Sequence, residues 1–303
     1  MSELRILERP ELRRPLLITA FAGWNDAGSA ATGVIRYMLR RWRSDTLAEI
    51  DPEPFYDFTQ ARPTVRIADG ERVIEWPQNR FSWHRVEGAD RDLILLSGIE
   101  PHLGWRSYVG CVLELCRTFE VSGVITLGAL LAEVSHVRPV PLIGSSADEE
   151  LARRLDLRDE SASRDESASR YEGPTGVVGV LSQSVRDAGL ATASLWASVP
   201  FYVNASPNPK GALAILERLN GGLDLDLSLH DLEVFAARFD AQVQAEVDKD
   251  PQMVEYARRI EEQLDELEDD ADAPGAGQPP AELPDAGTMV EELERFLREQ
   301  RDS

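Results

Sequence analysis

The chain has 303 residues, 43% of them hydrophobic, enough for one large core with helical additions or for two domains. Its formal charge is -22, with 19 acids against 6 bases in residues 246–303, so neither nucleic acid nor a membrane surface is an expected partner, since both demand basic patches. No apolar run approaches the length of a membrane span and no signal peptide is spelled. Cys111 and Cys116 are the two cysteines, five apart on a predicted helix whose faces point them away from each other, which suits a reducing, cytoplasmic setting.

Residues 16–22 form a short, uninterrupted apolar run closed by Gly23, the pattern of a strand covered on both faces. Asn25 or Asp26 then caps a helix predicted over 26–41, with Ala30, Ala31, Val34, Ile35, Met38 and Leu39 on its apolar face. Gly23-Trp24-Asn25-Asp26 therefore lies at the carboxyl end of a strand beside a helix N-terminus, where open α/β sheets collect ligands. Residues 48–90 change character. Short β-prone pieces at 66–67, 72–76 and 80–86 are separated by Pro63, Asp69-Gly70 and Pro77, and Asp69-Gly70 is a hairpin-turn signal. They predict an antiparallel insertion at the sheet edge.

Further core strands are predicted at 93–97, 123–127, 175–180 and 192–198, and helices at 105–119, 148–155, 181–188 and 210–219. This alternation predicts an α/β fold, a mostly parallel sheet flanked by helices. Asn208 and Pro209 mark the start of the last of these helices and Asn220-Gly221 its end. A six-residue tandem repeat, RDESAS at 158–163 and again at 164–169, reads as a lengthened loop.

From Ser228 the pattern is all-helical. Ser228-Leu229-His230-Asp231 spells a capping box before an apolar stripe at Leu232, Phe235, Phe239, Val243 and Val247. Asp250-Pro251 opens a second helix with Met253, Ala257, Ile260, Leu264 and Leu267 on its apolar side. The expected domains are an α/β core at 1–227, a helical hairpin extension at 228–268, a flexible linker at 269–287 and a terminal amphipathic helix at 288–303.

The strong catalytic signatures, GxxxxGK[ST], HExxH, GxSxG, GxGxxG and CxxC, are missing from the sequence. GPTGVVG at 173–179 is glycine-rich but lacks the lysine and spacing of a phosphate loop. His84, His102, His136 and His230 do not pair at metal-ligand spacing, so no metal and no cofactor are expected. What remains is a set of polar residues just beyond predicted strands. Glu100-Pro101-His102 follows 93–97, and Ser135-His136-Val137-Arg138 follows 123–127, with Pro139 and Pro141 holding Arg138 and Val140 extended. Lys210 opens the helix beyond 192–198.

Trp24, Asn25, Asp26, Glu100, His102, His136, Arg138 and Lys210 are thus the candidate ligand-binding residues of one rim, a set suited to holding phosphate or carboxylate, or to hydrolysis. Against this stands a plainer reading: Asp26 caps a helix, Arg138 ties a loop, Lys210 is an ordinary first-turn residue, and strand-end loops are polar with or without a site. No catalytic residue is assigned.

Five ordered segments, FAGWNDAG at 21–28, SHVRPVP at 135–141, YEGPTGVVGVL at 171–181, SLWASVPFYV at 194–203 and PNPKGAL at 207–213, resemble the bacterial branch of the proteasome assembly chaperone 2 family, over about residues 10–250. The resemblance implies a phosphorylase/hydrolase-like α/β fold with a helical C-terminal extension. It also implies homo-oligomerisation, as a trimer, and a proteasome-related protein partner, and it brings no catalytic residues. Ring-docking chaperones typically end in a hydrophobic residue, a tyrosine and one more residue. Gln300-Arg301-Asp302-Ser303 does not match this, so docking by that route is not expected. The function expected is that of an oligomeric, assembly-chaperone-like interaction protein without catalysis. The alternative is a small-molecule hydrolase or binding protein taking an anionic ligand at the rim.

Overall fold

The computed structural model describes residues 3–42, 44–159, 173–203 and 205–271. The apolar run Leu16–Ala22 (β2) is a central strand, buried along its length until Ala22. Its parallel neighbours are Leu93–Ile99 (β7) and Gly123–Ala132 (β8), and Ala191–Pro200 (β11) runs parallel to β8. Beyond β7 the sheet turns antiparallel through Asn79–His84 (β6), Asp45–Ile50 (β3) and Leu4–Ile6 (β1). Beyond β11 come Leu142–Ser146 (β9), antiparallel to β11, and Arg158–Asp159 (β10). The nine strands lie in the order β1-β3-β6-β7-β2-β8-β11-β9-β10. Four adjacent parallel strands, β7, β2, β8 and β11, therefore open their carboxyl ends on one edge.

Helices cover both faces, and the alternation of side chains along β2 supplies each with a core. Leu16, Ile18 and Ala20 pack with Ala30–Arg41 (α1) and Pro209–Leu223 (α5). Leu17 and Phe21 pack with Trp105–Thr118 (α2) and Val177–Asp187 (α4). Glu149–Arg154 (α3) is capped by Asp148, whose carboxylate accepts from the Leu151 amide at 2.8 Å. His230–Val247 (α6) packs along α5 within a compact unit spanning Met1–Asp250. Pro251–Ala271 (α7) belongs to a second unit. Among the described residues no helix is long and apolar enough to cross a membrane.

The α/β sheet flanked by helices is the fold expected from the sequence, and its antiparallel edge forms at β6, β3 and β1. Several elements differ. Residues 175–180 are not a strand: α4 begins at Val177, because Val177, Val178, Leu181 and Val185 recur at helical spacing and all four are buried on one side. The helix predicted over 26–41 begins at Ala30, after a 3-10 turn at Ala27–Ser29.

Asn220-Gly221 does not end α5, which continues to Leu223. Its Gly222 lies where a Cβ would come within 2.5 Å of the Arg154 carbonyl, so glycine serves close packing rather than termination. The capping box at Ser228 does not form; the first cap position is Leu229, and the Ser228 carbonyl instead accepts from the Tyr37 hydroxyl at 2.7 Å. Asp69 and Gly70 do turn a hairpin, both with positive φ (51° and 84°), between Thr64–Ala68 (β4) and Glu71–Glu75 (β5). That ribbon is a sheet of its own. Most of the tandem repeat, the linker beyond residue 271 and the terminal amphipathic helix lie outside the described residues.

Candidate functional site

The rim at the carboxyl ends of β7, β2, β8 and β11 is built from two hydrogen-bonded clusters. The first joins the exits of β2 and β7. Gly23, at φ +141°, turns the chain where a side chain would press on Glu100, whose Cβ would lie 3.1 Å from it. Trp24 is thrown outward into solvent, whereas Asn25 is buried. Asn25 Nδ2 donates to Glu100 Oε1 at 3.1 Å, and its carbonyl accepts from the Ala129 amide at 2.9 Å. The same Glu100 Oε1 accepts from the Val177 amide at 2.7 Å. Since Gly176 has no side chain to cap α4, the Glu100 carboxylate takes that place at the positive end of the helix.

Asp26 does the equivalent work for α1. The cap residue Ser29 has a left-handed φ of 54° and makes no side-chain cap bond. Asp26 Oδ1 instead accepts from the amides of Ala31 (2.8 Å) and Thr32 (3.2 Å), and Oδ2 accepts from the Thr32 hydroxyl. Burial pushes the Asp26 carboxyl above its ordinary value, and the Thr32 and Ala31 donors pull only part of the way back. Asp26→Ala should cost about 1–2 kcal/mol of stability, the range of a lost helix cap. Chemical denaturation of the two proteins side by side measures it, and an unchanged midpoint would remove Asp26 from the scaffold.

The second cluster joins the exits of β8 and β11 to α5 and α6. His136 is buried. Its amide donates to Tyr202 Oη at 2.9 Å, its Nδ1 lies 2.7 Å from the same oxygen, and its Nε2 lies 3.0 Å from Gln244 Oε1. Gln244 Nε2 donates to Asp248 at 2.8 Å, which fixes the amide so that its oxygen faces the imidazole. Nε2 of His136 then donates to this oxygen, with Nδ1 held against the Tyr202 hydroxyl. Lys210 donates to the His136 carbonyl and pairs with Asp240 at 3.1 Å. Between them lies a shallow cleft, open to solvent and with room for about one water, lined by Ser135, His136, Ser198, Asn208, Lys210 and Asp240 among others.

The sequence-derived residues are therefore divided. Trp24, Asn25, Asp26 and Glu100 share the first cluster, and His136 and Lys210 the second, with half-buried Arg138 two residues beyond His136, where the chain bends at 136–138 rather than running extended. His102 turns elsewhere: its Nδ1 accepts from the Asp57 amide at 3.0 Å and its ring meets Tyr56 edge-on. Among the described residues no hydrogen bond links Asn25 or Glu100 to His136 or Lys210. The clusters are joined by backbone, where the Asn208 amide donates to the Gly28 carbonyl at 2.7 Å. Sequence reasoning missed Tyr202, Asp240 and Gln244. Asp240, Gln244 and Asp248 recur every four residues, a polar stripe beside the apolar one on α6 that carried the signal.

The rim also carries large apolar side chains. Leu103 follows β7, Trp24 follows β2, Leu131 is the last residue but one of β8, Val137 lies in the loop after it, and Phe201 follows β11. These five are 40–71% exposed.

Residues 20–247 match the model of the PAC2 family. The chain belongs to the PAC2 family. A PAC2 family protein from Streptomyces avermitilis of known structure is 41% identical, with a TM-score of 0.71 over 80% of this chain and 99% of that one. A proteasome-assembly chaperone homologue from Mycobacterium tuberculosis is 36% identical, with a TM-score of 0.69 over 80% and 99%. An archaeal proteasome activator from Pyrococcus furiosus, 19% identical, shares the fold, with a TM-score of 0.62 over 82% and 100%. No curated protein matches the chain. Apart from Asp248, both clusters of the rim fall within the matched PAC2 region.

Proposed function

We propose that this PAC2 chain is an assembly-chaperone-like interaction protein of the cytoplasm that acts by binding rather than catalysis. Its partner is proteasome-related, and it works as a homo-oligomer, three copies being the number that the family resemblance implies. The likeness to the mycobacterial chaperone homologue supports the class of partner. The observation that carries the reading is the apolar row on the rim: Leu103, Trp24, Leu131, Val137 and Phe201 follow the strand order β7-β2-β8-β11 across one edge. Exposed apolar side chains grouped in this way mark protein-binding surfaces, whereas scattered single ones do not.

The polar residues of the same rim favour this over an anion-binding reading. The Lys210 ammonium is already paired with Asp240, and Glu100 is spent on Asn25 and the α4 amide. An anion would meet two carboxylates and a lysine already paired, with Arg138 beside them. In sedimentation with proteasome subunits of the same organism, the full chain should form a complex. The double variant Trp24→Asp, Val137→Asp should weaken it at least about tenfold, the size of a lost interface anchor, with an unchanged thermal midpoint because both residues are exposed. A wild-type chain that forms no complex at micromolar concentration would overturn the partner, and a fully active double variant would overturn the rim.

A further inference from the structure

The β4–β5 ribbon stands apart from the sheet, and all ten of its residues are exposed. Direct pairing of Val65 with Ile74 and of Ile67 with Arg72 sets Val65, Ile67 and Ile74 on one face, with Arg72 at its edge. These three are 50–67% exposed. On the other face Arg66 donates to Glu75 at 2.8 Å, and the apolar side chain is the single Val73 opposite Arg66, with Ala68 at the turn. At the root, Trp76 meets Phe58 edge-on with ring centroids 4.9 Å apart. A two-stranded ribbon with no third strand and no packed surface is marginal in water. Within the described residues the ribbon has neither.

We propose that the apolar face of this ribbon is a contact between copies of the chain. The inference rests on the homo-oligomer reading above and gives it a location. A cover that is needed whenever the chain is folded must be present wherever the chain is, and a second copy meets that condition. Charge points the same way. Copies carrying -22 each repel one another, with -13 of that charge in residues 246–303 and -9 in residues 1–245, whereas residues 62–76 hold three arginines and three acids, so the ribbon region is neutral. Two copies can approach there with least repulsion, and low charge at the centre is what a stable interface requires. A basic partner would be drawn to the acidic surfaces instead.

Light scattering of the full-length chain at micromolar concentration, beside the variant Ile67→Glu, Ile74→Glu, tests this. The wild type should show a multiple of the single-chain mass and the variant the single-chain mass, with the same far-UV circular dichroism, since both residues are already exposed in one copy. Hydrogen exchange on the wild type adds a readout free of mutation: the amides of 64–75 should be protected at high concentration and lose that protection on dilution. A variant that keeps the wild-type mass, or ribbon amides that exchange fast in the oligomer, would overturn the ribbon contact while leaving the oligomer standing. A wild type of single-chain mass would overturn both.

Discussion

Gly28→Ala should destabilise the chain by about 2–4 kcal/mol, combining a left-handed backbone penalty for a residue with a Cβ and an overpacked contact. Gly28 has φ +59°, and a Cβ there would lie 2.8 Å from Asn208 Cβ and 3.3 Å from the Ala205 carbonyl. Asn208 cannot simply withdraw. Its amide donates to the Gly28 carbonyl, and its Oδ1 accepts from the Gly211 amide at 2.9 Å to cap α5. Strain at Gly28 is therefore passed to the start of α5, where Lys210 supports the His136 loop. The variant should lose partner binding along with stability. Gly110→Ala is the control: it lies within α2 with nothing within 4 Å of its added Cβ, and it should be neutral or gain up to about 1 kcal/mol of helix propensity. Equal urea midpoints for the two variants would refute the account of Gly28.

The parts of the fold that were legible in the sequence are those whose burial is uniform. β2, with an apolar residue at nearly every position, could only be a strand covered on both sides, and Asp69-Gly70 could only be a tight turn. The run at 175–180 misled because Val177 and Val178 are adjacent, which suits a strand as well as the edge of a helical stripe. The decision between them came from Leu181 and Val185 one and two turns on. The rim residues were recognisable as strand-end polar groups, but their grouping was not. Which side chain meets which depends on crossovers that bring α6, a hundred residues away, against the His136 loop. His102 shows the same limit: its position after β7 was read correctly, while its direction is set by the Asp57 amide from another loop.

Asp92→Ala should cost about 2–3 kcal/mol at neutral pH, less than the loss of a fully buried ion pair because Arg13 stays partly solvated. The Asp92 side chain is fully buried, and its carboxylate accepts from the Arg13 amide at 2.8 Å and from the Arg13 guanidinium at 2.6 and 3.2 Å, with Arg85 3.8 Å away. The backbones are tied as well: the Asp92 amide donates to the Arg13 carbonyl, and the Leu16 amide to the Asp92 carbonyl. This clamp sets the register of β2 on β7 at Leu16 opposite Leu93, and so the placing of Trp24 and Leu103 at the far ends. Burial alone would raise the Asp92 carboxyl, but the hydrogen bonds and charge of Arg13, with Arg85, outweigh it and hold the group below its ordinary value. A lowered folded value means that the stabilisation is complete above the unfolded value of about 4 and is lost as pH falls through the folded one. The gap in urea midpoint between wild type and Asp92→Ala should thus be constant from neutral pH down to about 5 and narrow only in stronger acid. Asp26, whose folded value is raised, has the opposite sign: its contribution is full below the unfolded value and shrinks as pH rises through the folded one. Replacing Asp92 by Asn, which keeps an acceptor but not the charge, should fall between wild type and Asp92→Ala. If it matched Asp92→Ala, the charge rather than the acceptor geometry would be what holds the clamp.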